Sequence, residues 1–130
     1  MICKVLKNID IDDRYFFLKT DFEVEPKAGQ FYMLRSWENY PTLSRPISIY
    51  NVEDGLEFLV EERGVGTNLL RNLKEGDLIK VYGPYGNSFD IDVDKVTLVG
   101  GGVGTAPMYL TAKKIKEKNR DAKVKLYLGP

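Results

Sequence analysis

Arg45-Pro46-Ile47-Ser48-Ile49-Tyr50 is rich in β-branched and aromatic residues and reads as a strand. It nevertheless opens on an arginine and a proline and carries a serine in its middle. Pro46 has no N–H to give to a ladder, so it belongs at a strand's start or on a sheet edge. Arg45 brings a planar fork of donors suited to phosphate, and Ser48 a hydroxyl that donates or accepts. Strict alternation places Arg45 and Ser48 on opposite faces, so one ligand meets both only by lying across the strand's edge or end. Taken alone, the hexapeptide is an edge strand with a surface arginine. Three later stretches change that reading.

Around the hexapeptide the chain punctuates itself into short strands. Residues 2–8, Tyr15–Thr20 and Gln30–Arg35 precede it, separated by a polar turn over Ile9–Asp13 and by Pro26-Lys27-Ala28-Gly29. Residues 36–43 form a polar loop carrying Trp37, Tyr40 and Pro41. The fourth strand is expected over Arg45–Asn51. Glu53-Asp54-Gly55 turns the chain, since Asp-Gly favours hairpins, and Leu56–Glu61 returns beside the fourth strand as the fifth. Asn68–Leu73 is a short helix with Thr67 as its N-cap. Leu78–Tyr82 is the sixth strand, closed by Gly83-Pro84-Tyr85-Gly86-Asn87. Six short strands with regular turn signals predict a small antiparallel barrel or sandwich.

After Asp94 the texture changes. Val96-Thr97-Leu98-Val99 is a short apolar strand of the buried, parallel kind. Gly100-Gly101-Gly102-Val103-Gly104-Thr105 follows at once, then a helix over Ala106–Lys118 with Pro107 in its first turn, then the strand Val124–Leu128. Met108, Ala112 and Ile115 share one helix face, and lysines fill the other. This is one βαβ unit. Two parallel strands and one helix cannot cover a sheet on both faces, so the second domain is expected to be incomplete within these residues, or completed by another chain. Its open edge invites self-association. The expected division is residues 1–92 and 93–130.

Composition narrows the chemistry. The chain has 130 residues, 43% hydrophobic and 29% charged, enough for one ordinary domain or one small domain with part of another. Nineteen basic and nineteen acidic residues cancel, so no basic field points to nucleic acid. No apolar run reaches membrane-spanning length and residues 1–20 lack a signal-peptide pattern, so a cytoplasmic protein is expected. The lone Cys3 fits a reducing compartment. With no histidine there is no histidine base, and one cysteine cannot build a zinc or iron–sulfur site within this chain. No catalytic side chain and no metal ligand is assigned. Redox chemistry here needs an organic cofactor.

Two glycine-rich turns complete the picture. Gly64-Val65-Gly66-Thr67 precedes a helix N-terminus, where free N–H groups favour an anion and glycines allow close approach. Equally, it is a glycine turn with a threonine cap. Its place after the Leu56–Glu61 strand lets it and Arg45 grip two halves of a pyrophosphate. Gly100–Gly104 sits between strand and helix, where a phosphate loop belongs. It is neither a G-x-G-x-x-G fingerprint nor a P-loop, because Thr105 replaces the third glycine and no Lys-Ser or Lys-Thr follows.

Arg45-Pro46-Ile47-Ser48, Gly64-Val65-Gly66-Thr67, Gly83-Pro84-Tyr85-Gly86-Asn87 and Gly100-Gly101-Gly102-Val103-Gly104-Thr105-Ala106-Pro107 together resemble the ferredoxin–NADP reductase superfamily in order and spacing. Within it the chain is most similar to the electron-transfer subunits of bacterial dihydroorotate dehydrogenase, and also to the small subunits of NADH-dependent ferredoxin–NADP oxidoreductase and of sulfide dehydrogenase. The resemblance implies a mainly β fold: a six-stranded Greek-key FAD-binding barrel, then the first βαβ unit of a nucleotide-binding α/β domain. It implies that Arg45 binds the FAD pyrophosphate, with Pro46 and Ile47 against the flavin and Ser48 at its reactive edge. Ile47 stands where many members carry a stacked aromatic. Gly64, Gly66, Thr67 and Asn68 would meet the phosphates; Gly101, Gly102, Gly104 and Thr105 would lie against NAD(H). The resemblance further implies an FMN-containing catalytic subunit as partner in pyrimidine biosynthesis. It places a [2Fe–2S] centre in a C-terminal cysteine cluster that these residues do not contain. A non-catalytic remnant serving as an interaction module is the alternative of another class.

Overall fold

A computed structural model describes residues 1–129; Pro130, the last residue of the segment expected over 93–130, lies outside the described residues. Strands β1 (Ile2–Asp10), β2 (Tyr15–Thr20), β3 (Phe31–Arg35), β4 (Arg45–Ser48), β5 (Asn51–Val52), β6 (Leu56–Glu61) and β7 (Leu78–Tyr85) form one antiparallel sheet in the order β4-β3-β7-β1-β2-β6-β5. β4 and β5 stand at opposite ends of that order, yet only Ile49 and Tyr50 separate them in the chain. Two residues cannot span an open sheet, so the sheet curls until its edges meet. Ile49 N–H bonds to the Gln30 carbonyl at 3.0 Å on the β3 side, and Tyr50 N–H to the Glu57 carbonyl at 3.0 Å on the β6 side. The barrel closes there.

This seam explains a departure from the sequence reading. The fourth strand, expected unbroken over Arg45–Asn51, splits into β4 and β5 because it changes partner at Ile49–Tyr50, giving seven strands instead of six. Leu56–Glu61 lies beside only the second half; Arg45–Ser48 pairs with β3, with Arg45 opposite Leu34 and Ser48 opposite Phe31. β7 also outruns its expected end. It continues through Gly83-Pro84 to Tyr85, with a register shift against β3 that bulges the ladder at Gly83. There φ is +137°, and a Cβ would stand 2.9 Å from the Tyr32 ring, so only glycine fits the bulge. β1 runs on to Asp10, into the expected turn.

Alternation fills the barrel. Val5, Phe16, Leu18, Tyr32, Leu34, Phe58, Val60, Ile79 and Val81 point inward and are buried. Tyr32 is fully buried, and its hydroxyl has no hydrogen-bond partner among the described residues. Burial, then the charge of Glu25, pushes its pKa up to about 12 from an ordinary 10. The folded state thus holds the phenolic proton more tightly than the unfolded chain. Stability is full below pH 10 and falls as the pH rises toward 12, by about 1.4 kcal/mol per unit. An unpaired buried hydroxyl costs about 1–3 kcal/mol, so Tyr32→Phe is expected to unfold at higher urea at pH 7 and to lose the alkaline slope. A phenylalanine variant weaker than the parent at pH 7 contradicts this.

α1 (Val65–Arg71) follows β6. It starts earlier than the expected Asn68, with Gly64 as N-cap and Thr67 inside the first turn. The threonine still serves the turn, reaching back to accept the N–H of Arg63 at 2.7 Å and of Gly64 at 3.2 Å. β8 (Lys95–Gly101), a 3₁₀ turn over Gly102–Thr105, α2 (Ala106–Lys118) and β9 (Lys123–Gly129) complete the chain, with β8 and β9 paired parallel. α2 occupies the expected residues, but its lysines are not simply a solvated face. Lys113 donates to Asn51 Oδ1 at 3.0 Å and Lys114 to Glu25 at 3.0 Å, both on the barrel side. Leu110 is buried in the barrel's own hydrophobic cluster, and Tyr109 stacks on Tyr50 at 5.1 Å. Among the described residues no helix is long and apolar enough to cross a membrane.

Candidate functional site

A cleft of about 520 Å³ opens between β4, the end of β6, the start of α1 and the 3₁₀ turn. One side is Arg45-Pro46-Ile47-Ser48. Since β4 is the last strand of the sheet order, its edge is free of ladder partners, and residues from both its faces reach the cleft there. The opposing wall is Glu61, Arg63, Gly64 and Thr67; Leu59 and Val60 form the floor, and Val103, Gly104, Ala106 and Pro107 the far side.

Arg45 is the distinctive group. No carboxylate among the described residues pairs with it, in contrast to Arg63 and Arg71. Its side chain lies along Gly66: a Cβ there would overlap the guanidine Nε and stand 3.0 Å from Cγ. Gly66 is thus needed as a bed for the arginine, not for its own backbone conformation. An unpaired guanidinium beside a glycine-lined helix start brings together positive charge and free N–H groups, the features that favour an anion. Pro46, Ile47 and Leu59 supply an apolar wall for a flat ring system.

The other expected residues divide. Gly64 and Thr67 line the cleft. Asn68 does not line it; its amide donates to Glu62 at 3.0 Å behind the wall, so the side-chain phosphate donor expected there is already committed. The second glycine turn is shared between two hollows. Gly104 faces the barrel cleft. Gly102, with φ +55°, and Thr105, whose hydroxyl donates to the Gly102 carbonyl at 3.0 Å, line a second hollow of about 260 Å³ with Ile11, Tyr15 and Leu59. Gly101 ends β8 and lines neither. At Gly100, a Cβ would come within 2.9 Å of the Gly104 carbonyl and 3.1 Å of Met108, so this glycine closes strand onto turn.

Sequence reasoning missed Glu61 and Arg63. Glu61 accepts from Arg63 Nε and from the Tyr15 hydroxyl at 3.1 Å, and these bonds hold its carboxyl below the usual range. The available signal was position: three charged residues, Glu61-Glu62-Arg63, stand between a strand and Gly64. The aromatic loop before β4 turns inward. Trp37 is buried, donates Nε1 to the Pro41 carbonyl at 2.6 Å, and carries Arg35 over its ring. Trp37 thus packs on its own barrel, while Tyr40 of the same loop is exposed.

No protein-family profile matches the chain. Among curated proteins it is 47% identical over 121 residues to the dihydroorotate dehydrogenase B (NAD(+)) electron transfer subunit of Clostridium acetobutylicum, covering 91% of this chain and 49% of that protein. It is 40% identical over 129 residues to the same-named subunit of Clostridium perfringens, covering 97% and 52%. The chain spans about half the length of the curated relatives it matches. Among solved structures, an NADH-dependent reduced ferredoxin–NADP oxidoreductase described for flavin-based electron bifurcation aligns with TM-score 0.82 and 30% identity, over 98% of this chain and 47% of that one. A ferredoxin–NADP⁺ reductase from Neisseria gonorrhoeae with bound FAD and NADP aligns with TM-score 0.80 over 98% of this chain and 56% of that one; at 20% identity it shares the fold.

Proposed function

Because the chain belongs to the ferredoxin–NADP reductase superfamily, we propose that it forms the flavin-holding part of an electron-transfer subunit, working between NADH and a partner catalytic subunit. Residues 1–92 form the FAD-binding barrel and residues 93–129 open the nucleotide-binding α/β domain. The observation that carries the reading is the unpaired Arg45 guanidinium, laid on Gly66 at the start of α1, with Gly64 and Thr67 lining the same cleft. Two separate phosphate grips suit a pyrophosphate, hence FAD, better than the single phosphate of FMN.

Bound FAD supplies the redox chemistry, exchanging a hydride pair on one side for single electrons on the other. The chain's residues bind and orient. Arg45 and the free backbone N–H groups of Val65–Thr67, the first turn of α1, would hold the pyrophosphate. Pro46 and Ile47 pack against the ring, where an aliphatic side chain replaces a stacking aromatic. Ser48 offers its hydroxyl at the ring's edge. In the Gly101–Thr105 turn, Gly102 and Thr105 would meet NAD(H) in the adjoining hollow, while Gly104 faces the flavin cleft. No side chain is required as an acid or base. The relatives are named electron transfer subunits of dihydroorotate dehydrogenase B, which supports a catalytic subunit as partner; in this reading that subunit carries FMN, and the [2Fe–2S] relay is supplied outside residues 1–129.

The test is chromatography of the flavin released from the purified chain. FAD is expected, in near-stoichiometric yield after reconstitution. FMN alone, or a chain that takes up neither, overturns the reading.

A further inference from the structure

The wall facing Arg45 runs from Glu61 to Thr67, over a glycine and the first turn of a seven-residue helix. Helices below about 12 residues do not hold their shape alone in water. Nothing stands within 4 Å of where a Gly64 Cβ would be. The wall therefore needs support from behind, and one side chain supplies most of it.

Arg71, the last residue of α1, is 13% exposed, with its guanidinium 5.6 Å over the fully buried Phe16 ring. Nε donates to Asp10 Oδ1 at 3.0 Å. One terminal nitrogen donates to the Asp13 carbonyl at 3.1 Å and to Glu62 Oε1 at 2.9 Å, and the other to the Asp12 carbonyl. That fork joins three segments: the β1–β2 turn, the end of β6, and α1. The β1–β2 turn is itself fixed, since Asp12 Oδ1 accepts the N–H groups of Arg14 and Tyr15, each at 2.8 Å. Glu62 sits between two cleft-lining residues and points away from the cleft. Its carboxylate takes Arg71 and Asn68, and its N–H bonds to the Arg14 carbonyl at 2.7 Å. On the far side, Asn8 Nδ2 donates to the carbonyls of Leu70, Arg71 and Leu73 at 3.1, 3.0 and 2.8 Å, anchoring the helix's last turn to β1.

We propose that Arg71 is a positioning residue: with Glu62 it clamps the Glu61–Thr67 wall to the barrel, at the distance from Arg45 that the bound phosphates require. The inference rests on the flavin reading above. Two of the four bonds go to the backbone carbonyls of Asp12 and Asp13, so the fork fixes the position of the β1–β2 turn as well as pairing charge. A shift of α1 also pulls Gly66 away from the Arg45 guanidine it beds, because the backbone of Arg45 stays in the β3–β4 ladder. Lysine cannot replace the fork, since an ammonium lacks its planar set of donors.

The test uses the full chain with Arg71→Met, Arg71→Lys, Glu62→Gln and the Arg71→Met/Glu62→Gln double variant. FAD affinity is titrated at a temperature where circular dichroism shows each protein folded, and amide exchange is followed without flavin. Arg71→Met and Glu62→Gln are each expected to weaken FAD about tenfold, the size of one charge-assisted contact. The double variant should be no weaker than Arg71→Met, because the two residues act as one unit, and Arg71→Lys should fall between. Amide exchange should rise at Arg63–Thr67 and stay unchanged in β2 and β6. Parental affinity in folded Arg71→Met overturns the clamp, as does unchanged exchange at Arg63–Thr67. If Arg71→Met does not fold, Glu62→Gln decides by the same two readouts. A parent chain that binds no flavin overturns the functional reading instead, and the exchange measurement then judges the clamp alone.

Discussion

Replacing Arg45 with alanine is expected to leave the barrel folded and to weaken FAD binding about tenfold to a hundredfold, the 1.5–3 kcal/mol of a charge-assisted contact. The barrel has little reason to notice: Arg45 makes no ion pair among the described residues, and its β4 ladder runs through backbone atoms. Arg45→Lys should recover only part of the loss, since an ammonium cannot match the fork. Gly66→Ala gives an independent check. Its methyl group would occupy the guanidine's bed and push the arginine off line without removing its charge, so flavin affinity should fall while the charge of the cleft is unchanged. Titration of apoprotein with FAD, followed by flavin fluorescence, compares all four proteins. Equal dissociation constants would remove Arg45 from the site.

The second large effect is on folding. Gly55→Ala is expected to destabilise the chain by about 2–6 kcal/mol, combining a strained backbone with an overpacked contact. Gly55 has φ +129°, and an added Cβ would overlap the Thr20 carbonyl oxygen, which is backbone and cannot rotate aside. The same turn holds Asp54 at φ +54° and the Glu53 N–H bond to the Gly55 carbonyl at 3.1 Å. It joins β5 to β6, so its distortion acts on the seam where the barrel closes. Against a total stability of about 5–15 kcal/mol for a domain, urea unfolding should show a clear drop in midpoint. A change under about 0.5 kcal/mol would mean that the hairpin reshapes freely.

Local chemistry was legible in the sequence where a residue acts on its chain neighbours. The inward alternation of Tyr15–Thr20, the Asp54-Gly55 turn and the Ala106–Lys118 helix follow from pattern alone. Arg45-Pro46-Ile47-Ser48 and the Gly64–Thr67 turn were recognisable as neighbours, and they line one cleft, which Gly104 joins; Gly102 and Thr105 line the adjoining hollow. What escaped is set by partners distant in sequence. Leu110 looks like any helix leucine, yet it completes the barrel core. Arg71 looks like a favourable charge at a helix end, yet it ties together residues from Asp10 to Glu62. Asn68 looked free to meet a phosphate because nothing near it in sequence announces that Glu62 takes its amide. The split of β4 from β5 depends on which strands flank it, information that the Arg45–Asn51 stretch does not contain.

The strand order also governs when the site comes into being. β1, β2, β6 and β5 are hydrogen-bonded neighbours, and so are β3 and β4, but only β7 joins the two groups by ladders on both sides. Arg45 belongs to the smaller group, while the Gly64–Thr67 turn follows the larger one. As the chain leaves the ribosome, both grips are synthesised well before Leu78–Tyr85 can stitch their supports together. Such long-range stitching is slow compared with hairpin formation. The supports of the two grips are therefore joined late, on the arrival of a strand that carries no cleft residue, and the Val103–Pro107 side of the cleft is added later still.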